Sequence, residues 1–92
     1  LNTDARGALN ALEEKGKVSG KTVLLLGAGG AAKAIAYEAA KRGAHVVIAN
    51  RTLAKGKKIS QEIAGTAIPF EKVSECSYDI IINTTSVGMA PH

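Results

Sequence analysis

The sequence predicts an α/β fold: a doubly wound parallel sheet of about four strands in the order 3-2-1-4, with an extra helix ahead of the first strand. Three observations predict it. Apolar runs of strand length (Thr22–Leu26, His45–Ala49, Ala67–Phe70 and Asp79–Asn83) are separated, for the first three, by longer stretches of helical character. The first two runs are unbroken rather than alternating, as in parallel strands buried on both faces. Parallel strands joined through helices take right-handed crossovers, which restricts the strand order.

The elements follow in chain order. Asn2-Thr3-Asp4 reads as a helix start, with Ala5, Ala8, Leu9 and Leu12 at helical spacing and Gly16 as the stop. Lys17 to Gly20 is a polar connector into the strand Thr22–Leu26. Gly27-Ala28-Gly29-Gly30 then opens an Ala-rich helix from Ala31 to Arg42, which Gly43 can close. His45–Ala49 is the second strand, with Asn50-Arg51-Thr52 at its tip. Leu53–Ala64 is the third helix, its Ile59 and Ile63 four apart, and Gly65 is its stop. Ala67–Phe70 is a short strand, Val73–Ser77 a loop or helical turn, Asp79–Asn83 another buried strand, and Thr84–Met89 the loop leaving it.

Composition narrows the classes of function. Ninety-two residues make one domain at most. Hydrophobic residues are 46% of the chain and aromatics 3%, so Ala, Val, Ile and Leu must build the core. Tyr37, Phe70 and Tyr78 are too few for single-strand nucleic-acid binding by stacking. The net charge of +4 suits an anionic ligand. Cys76 is alone, which excludes an internal disulfide and a Cys-based metal site. No apolar run approaches the ~20 residues of a membrane span and no signal peptide is visible, so a soluble, cytoplasmic protein is expected. The chain starts at Leu1 and stops at His92 soon after an apolar strand, and it reads as a piece of a longer polypeptide.

Two motifs carry chemistry. Gly27-x-Gly29-x-x-Ala32 matches the dinucleotide fingerprint in its Ala-ended form. Gly27 permits the turn off the strand, Gly29 lets backbone approach a pyrophosphate, and Ala32 allows close helix–strand packing. The following helix offers free N–H groups and a positive dipole end to phosphates. The strand before and the helix after supply the context the motif needs; without a ligand the same residues would be a plain strand–helix turn. Lys33 is followed by Ala34, not Ser or Thr, which excludes a P-loop.

The second motif lies about 20 residues further on, where NAD binders carry an acid for the ribose 2′-hydroxyl. Here Asn50 and Arg51 stand instead. An acid would repel a 2′-phosphate. Asn tolerates one, and the Arg fork can hold it. Thr52 adds a hydroxyl and Lys55 a second charge, so NADP is expected over NAD. The alternative for Arg51, Lys55, Lys57 and Lys58 is a solvated basic face, and Lys57 and Lys58 are read that way.

Four segments in this order resemble the shikimate dehydrogenase family: Asn2-Thr3-Asp4-Ala5-Arg6-Gly7, Gly27-Ala28-Gly29-Gly30-Ala31, Asn50-Arg51-Thr52 with Lys55, and Asn83-Thr84-Thr85-Ser86-Val87-Gly88-Met89. The resemblance implies an NADP-dependent oxidoreductase that reversibly reduces 3-dehydroshikimate to shikimate in aromatic amino-acid biosynthesis. It implies that residues 1–92 are a partial NADP-binding domain of Rossmann type, without the substrate domain and a later helix. By resemblance Asp4 is catalytic and binds a substrate hydroxyl, paired with a Lys that this chain does not contain. Gly27, Ala28, Gly29, Gly30 and Ala31 match the pyrophosphate site. Asn50, Arg51, Thr52 and Lys55 match the 2′-phosphate site, and Thr85, Ser86 and Val87 the nicotinamide side. Ala5 stands where the family usually has Gly, and Lys55 where it often has Arg. The piece alone is expected to be inactive.

The remaining readings are blander. Asp4 in a first helical turn is also what the helix dipole favours. His45 reads as packing or solvated, and no metal site is expected. Rival functions are a quinate/shikimate dehydrogenase, a bifunctional dehydroquinate dehydratase/shikimate dehydrogenase with a plastid location if plant, and a non-catalytic NADP-sensing module, which would have no need of Asp4. Expected partners are shikimate or 3-dehydroshikimate, with neither nucleic acid nor membrane. An unfinished sheet exposes an edge through which copies can pair as a homo-oligomer.

Overall fold

The computed structural model describes residues 4–85. Helices α1 (Ala5–Leu12), α2 (Gly30–Lys41) and α3 (Leu53–Ile63) accompany strands β1 (Thr22–Leu26), β2 (His45–Asn50), β3 (Thr66–Pro69) and β4 (Ile80–Asn83). The four strands form one parallel sheet in the order β3-β2-β1-β4. Single-turn and longer 3-10 segments follow α1 (Glu13–Lys15) and β3 (Phe70–Glu75).

Strand alternation divides the core in two. Val23, Leu25, Val46 and Ile48 face the helices and pack with Leu9, Ile35, Ala36, Ala39 and Ile59. Leu24, Val47 and Ala49 face the other way, where Ile68, Phe70, Val73 and Cys76 cover them. The second face therefore carries a 3-10 segment where a doubly wound sheet usually has helices. Short Ala side chains let α2 lie close to the sheet, with Ala32, Ala36 and Ala39 wholly buried.

Helix α1 is tied on by a polar hub. Arg42 Nε donates to Glu38 at 2.8 Å, Nη1 to Glu13 at 2.9 Å, and Nη2 to Asn10 at 2.9 Å and the Arg6 carbonyl at 3.4 Å. The other Glu13 oxygen accepts the Val18 N–H at 2.9 Å. That backbone bond, helped by Arg42 and Lys17, holds the Glu13 carboxyl below its ordinary range against the opposing cost of burial.

Some boundaries differ from the sequence reading, each for a physical reason. Helix α3 ends at Ile63, and Ala64, its C-cap, takes the left-handed conformation (φ 56°) expected of a Gly. Gly65 serves another need: a Cβ there would stand 2.6 Å from the Val46 carbonyl oxygen. Strand β3 starts at Thr66 and stops at Pro69, so Phe70 begins the 3-10 turn instead of ending the strand. Asp79 precedes β4. Its carboxylate accepts the Thr22 N–H at 2.8 Å and its own N–H donates to the Thr22 carbonyl at 2.9 Å, bracing the start of β1. Strand β4, read as buried, is an edge strand with Ile81 45% exposed.

Candidate functional site

The parallel register brings the carboxyl ends of all four strands level. Leu26 pairs with Ala49 on one side and Asn83 on the other, and Asn50 pairs with Pro69. The segments that follow (Gly27–Gly29, Arg51–Thr52, Phe70 and Thr84–Thr85) therefore leave the sheet at one end. Ligands of open α/β sheets bind at that end, beside the point where strand order reverses. Here the reversal lies between β1 and β4.

The glycines of the first loop answer to different constraints. Gly27 is buried with φ 113°, and a Cβ there would stand 2.6 Å from Thr84 Oγ1. Its N–H donates to the Ala49 carbonyl at 2.8 Å, so the turn is required by the fold itself. Gly29 and Gly30 are exposed, have no positive φ, and a Cβ on either would meet nothing within 4 Å. Nothing internal demands glycine at these two positions. Their bare backbone is what a group approaching from outside would need. Gly29 is the N-cap of α2 and supplies no side-chain cap, so the first N–H groups of α2 face that approach.

The tip of β2 repeats the arrangement. Asn50 Nδ2 donates to the Thr52 carbonyl at 2.9 Å and closes a turn over Arg51. Thr52 is the N-cap of α3, and its hydroxyl makes no capping bond. Helix α1 contrasts with both. Asp4 caps it, accepting the Gly7 N–H on Oδ1 at 2.9 Å. Gly7 leaves room for that carboxylate, since a Cβ there would collide with it.

A cleft of about 320 Å³ joins these elements, lined by Ala28, Gly29, Asn50, Arg51, Thr52, Lys55, Phe70 and Thr85. It thus collects seven of the residues expected from sequence. Gly30 lines an adjoining groove of about 310 Å³ with Lys33, Lys55 and Lys58. Gly27 and Ala31 lie behind the cleft as buried supports. Thr84 donates to the Leu26 carbonyl through its N–H (3.0 Å) and hydroxyl (2.7 Å), and Asn83 Oδ1 accepts the Thr85 N–H at 2.9 Å. Thr84 and Thr85 are thereby held against the glycine turn. Asp4, exposed at the head of α1, does not line the cleft. Ser86 and Val87 lie outside the described residues, as do Asn2, Thr3 and Met89. Among the described residues no three His, Cys, Asp or Glu side chains gather as a metal site, and no helix is long and apolar enough to cross a membrane.

The model of the family described as shikimate / quinate 5-dehydrogenase matches residues 9–89. The chain belongs to this family. The shikimate dehydrogenase (NADP(+)) of Methanothermobacter thermautotrophicus is 46% identical over 101 residues, spanning 99% of this chain and 35% of that protein. The chloroplastic bifunctional 3-dehydroquinate dehydratase/shikimate dehydrogenase of Arabidopsis thaliana is 37% identical, over 99% of this chain and 18% of that one. The crystal structure of shikimate 5-dehydrogenase from Thermus thermophilus, in complex with NADP(H) and shikimate, superposes with a TM-score of 0.76. Its identity is 38%, over 95% of this chain and 33% of that one. The chain therefore spans about a third of the length of the single-activity family members it matches.

Phe70 is the cleft residue that the sequence reading of this family member missed. It was assigned to a strand, whereas it follows one. Pro69 was the available signal, because a residue without an N–H belongs at a strand's end or edge. Lys33 and Lys58, at the adjoining groove, were also not singled out for binding. Lys33 stands 5.8 Å from the centre of the Tyr37 ring one turn along α2.

Proposed function

We propose that this chain is the NADP-binding part of a shikimate dehydrogenase, which reversibly reduces 3-dehydroshikimate to shikimate. One observation carries the reading: two helix N-termini without side-chain caps, those of α2 and α3, open onto one cleft, with Arg51 and Lys55 beside the second and no acidic residue in the lining. A ligand with two separated phosphate groups fits that arrangement, and a free ribose 2′-hydroxyl lacks the acid it would need. The names of the relatives support it: the Methanothermobacter protein is an NADP(+) enzyme and the Thermus structure contains NADP(H) and shikimate.

In this reading the N–H groups from Gly29 to Ala31 bind the pyrophosphate, with Gly27 and Ala28 shaping the turn. Arg51, Thr52 and Lys55 hold the 2′-phosphate, and Asn50 holds the tip that presents them. Thr85, with Ser86 and Val87, borders the nicotinamide, which when bound supplies the hydride chemistry. Asp4 binds a substrate hydroxyl and shares the proton transfer. Its bond to the Gly7 N–H holds the carboxylate in one orientation. In this reading its partner in general acid–base catalysis is the Lys that the family resemblance implies, outside these 92 residues, which alone are expected not to turn over substrate. Partial domain boundaries, a soluble cytoplasmic or plastid setting, and self-association through the open sheet edge belong to the same proposal.

Calorimetric titration with 2′,5′-ADP and with 5′-AMP tests it. The 2′-phosphate should tighten binding about 10- to 100-fold, the worth of charge-assisted hydrogen bonds, and Arg51→Ala should abolish most of that gain. Equal affinities, or no binding by a folded chain, would overturn the assignment.

A further inference from the structure

Asp4 and the phosphate-facing end of α2 belong to different elements, so something must fix the one relative to the other. Apolar packing does part of this: Leu9 is wholly buried in the cluster of Ile35, Ala36 and Ala39, with Ala5 and Leu12 against it. Such contacts are non-directional, and they press α1 onto α2 without fixing its rotation or its place along its own axis. Hydrogen bonds are directional and fix both. Arg42 supplies them. It is the C-cap of α2, at the end opposite the phosphate-facing N-terminus, about 18 Å away along a helix of 12 residues. Glu38, one turn back on the same helix, holds Nε and so sets the plane of the guanidinium. The other two nitrogens reach the Arg6 carbonyl, the Asn10 side chain and Glu13. Positions 6, 10 and 13 share one face of a helix, and a planar fork meets that face in one register. Asp4 moves with the same turn: the Ala8 N–H donates to its carbonyl at 3.0 Å and the Gly7 N–H to its carboxylate at 2.9 Å. A shift of α1 against α2 is therefore a shift of the Asp4 carboxylate against α2.

We propose that Arg42 is a positioning residue for the reaction: it lies outside the cleft and acts by fixing where α1 presents Asp4 relative to the cofactor held at the other end of α2. This rests on the reading of Asp4 and of the cofactor site above, and extends it to the side chain that sets their relation. A displacement of about 1 Å at a reacting group can cost about 100-fold in rate, so a loosened α1 is felt in the chemistry before it is felt in binding. Lys at this position keeps the charge and loses the fork, and one ammonium cannot hold the same acceptors in one plane.

The full-length dehydrogenase that contains this chain tests the proposal, with Arg42→Lys, the milder Asn10→Ala at an exposed position, and each combined with Asp4→Asn. Rates are taken per folded active site, counted by NADPH binding. Arg42→Lys should lower kcat for shikimate oxidation about 10- to 100-fold and Asn10→Ala about 2- to 5-fold, both with KM for NADP and affinity for 2′,5′-ADP unchanged. In the Asp4→Asn background neither should lower kcat further, because the carboxylate they position is gone. A merely structural role gives a different pattern: fewer folded molecules with kcat per site intact, or the same loss in both backgrounds. Either of those results, or a weakening of NADP binding that matches the loss in kcat, overturns the role of Arg42 and leaves the NADP reading standing. Should Arg42→Lys fail to fold, Asn10→Ala carries the same comparison. If Asp4→Asn itself keeps the wild-type kcat, the catalytic reading of Asp4 falls and this proposal falls with it.

Discussion

Replacing Gly27 by Ala tests whether the turn off β1 is held by backbone conformation, by its neighbour Thr84, or by both. At φ 113° an Ala residue carries strain of about 1–3 kcal/mol. Its Cβ would also stand 2.6 Å from Thr84 Oγ1, so that side chain must move. Moving it breaks the 2.7 Å bond to the Leu26 carbonyl at a residue only 6% exposed, which costs about 1–3 kcal/mol for groups left unsatisfied. The total is about 2–6 kcal/mol, a large share of the roughly 5–14 kcal/mol that a domain of this length has. Urea unfolding followed by circular dichroism measures it. In a Thr84→Ala background the collision is gone, so Gly27→Ala should there cost only the strain component. The difference between the two backgrounds gives the contact directly. If Gly27→Ala costs under about 1 kcal/mol in both, neither the conformation nor the contact at this turn has been read correctly.

Two further predictions concern the frame around the site. Ala64→Gly should stabilise the chain by about 0.5–1 kcal/mol, because glycine adopts the left-handed cap of α3 at little cost; a lower thermal midpoint would refute this. Glu13 has its carboxyl held below the ordinary value of 4.5, so it contributes stability above that pH, and the contribution is lost as pH falls through its lower folded value. Glu13→Gln should therefore destabilise the chain near neutrality, with the deficit shrinking as pH falls below the ordinary carboxyl value and through the lower folded one. A deficit constant from pH 7 to pH 3 would show that the charge of Glu13 does not matter.

Much of the site was legible because its information is local. The turn after Thr22–Leu26 and the tip Asn50-Arg51-Thr52 are short segments whose residue types report their own backbone needs and ligand chemistry. The unbroken runs of β1 and β2 report burial on both faces, and with right-handed crossovers they lead to the observed strand order. What was not legible depends on register and neighbours. Phe70 joins the cleft because Pro69 pairs with Asn50, a long-range pairing. Gly65 is needed because Val46 passes behind it, and Ala64, not Gly65, takes the strained conformation.

The sequence by itself determined the alternation of elements, the glycine turn and the chemistry at the tip of β2, because period, residue size and charge act within a few positions. Only the tertiary structure decided that α1 is held through Arg42, that β4 is an edge with Ile81 exposed, and that an aromatic ring stands beside the phosphate-binding residues. Those features arise where segments distant in the chain meet. Packing and strand register set such meetings, and no single stretch of residues contains them.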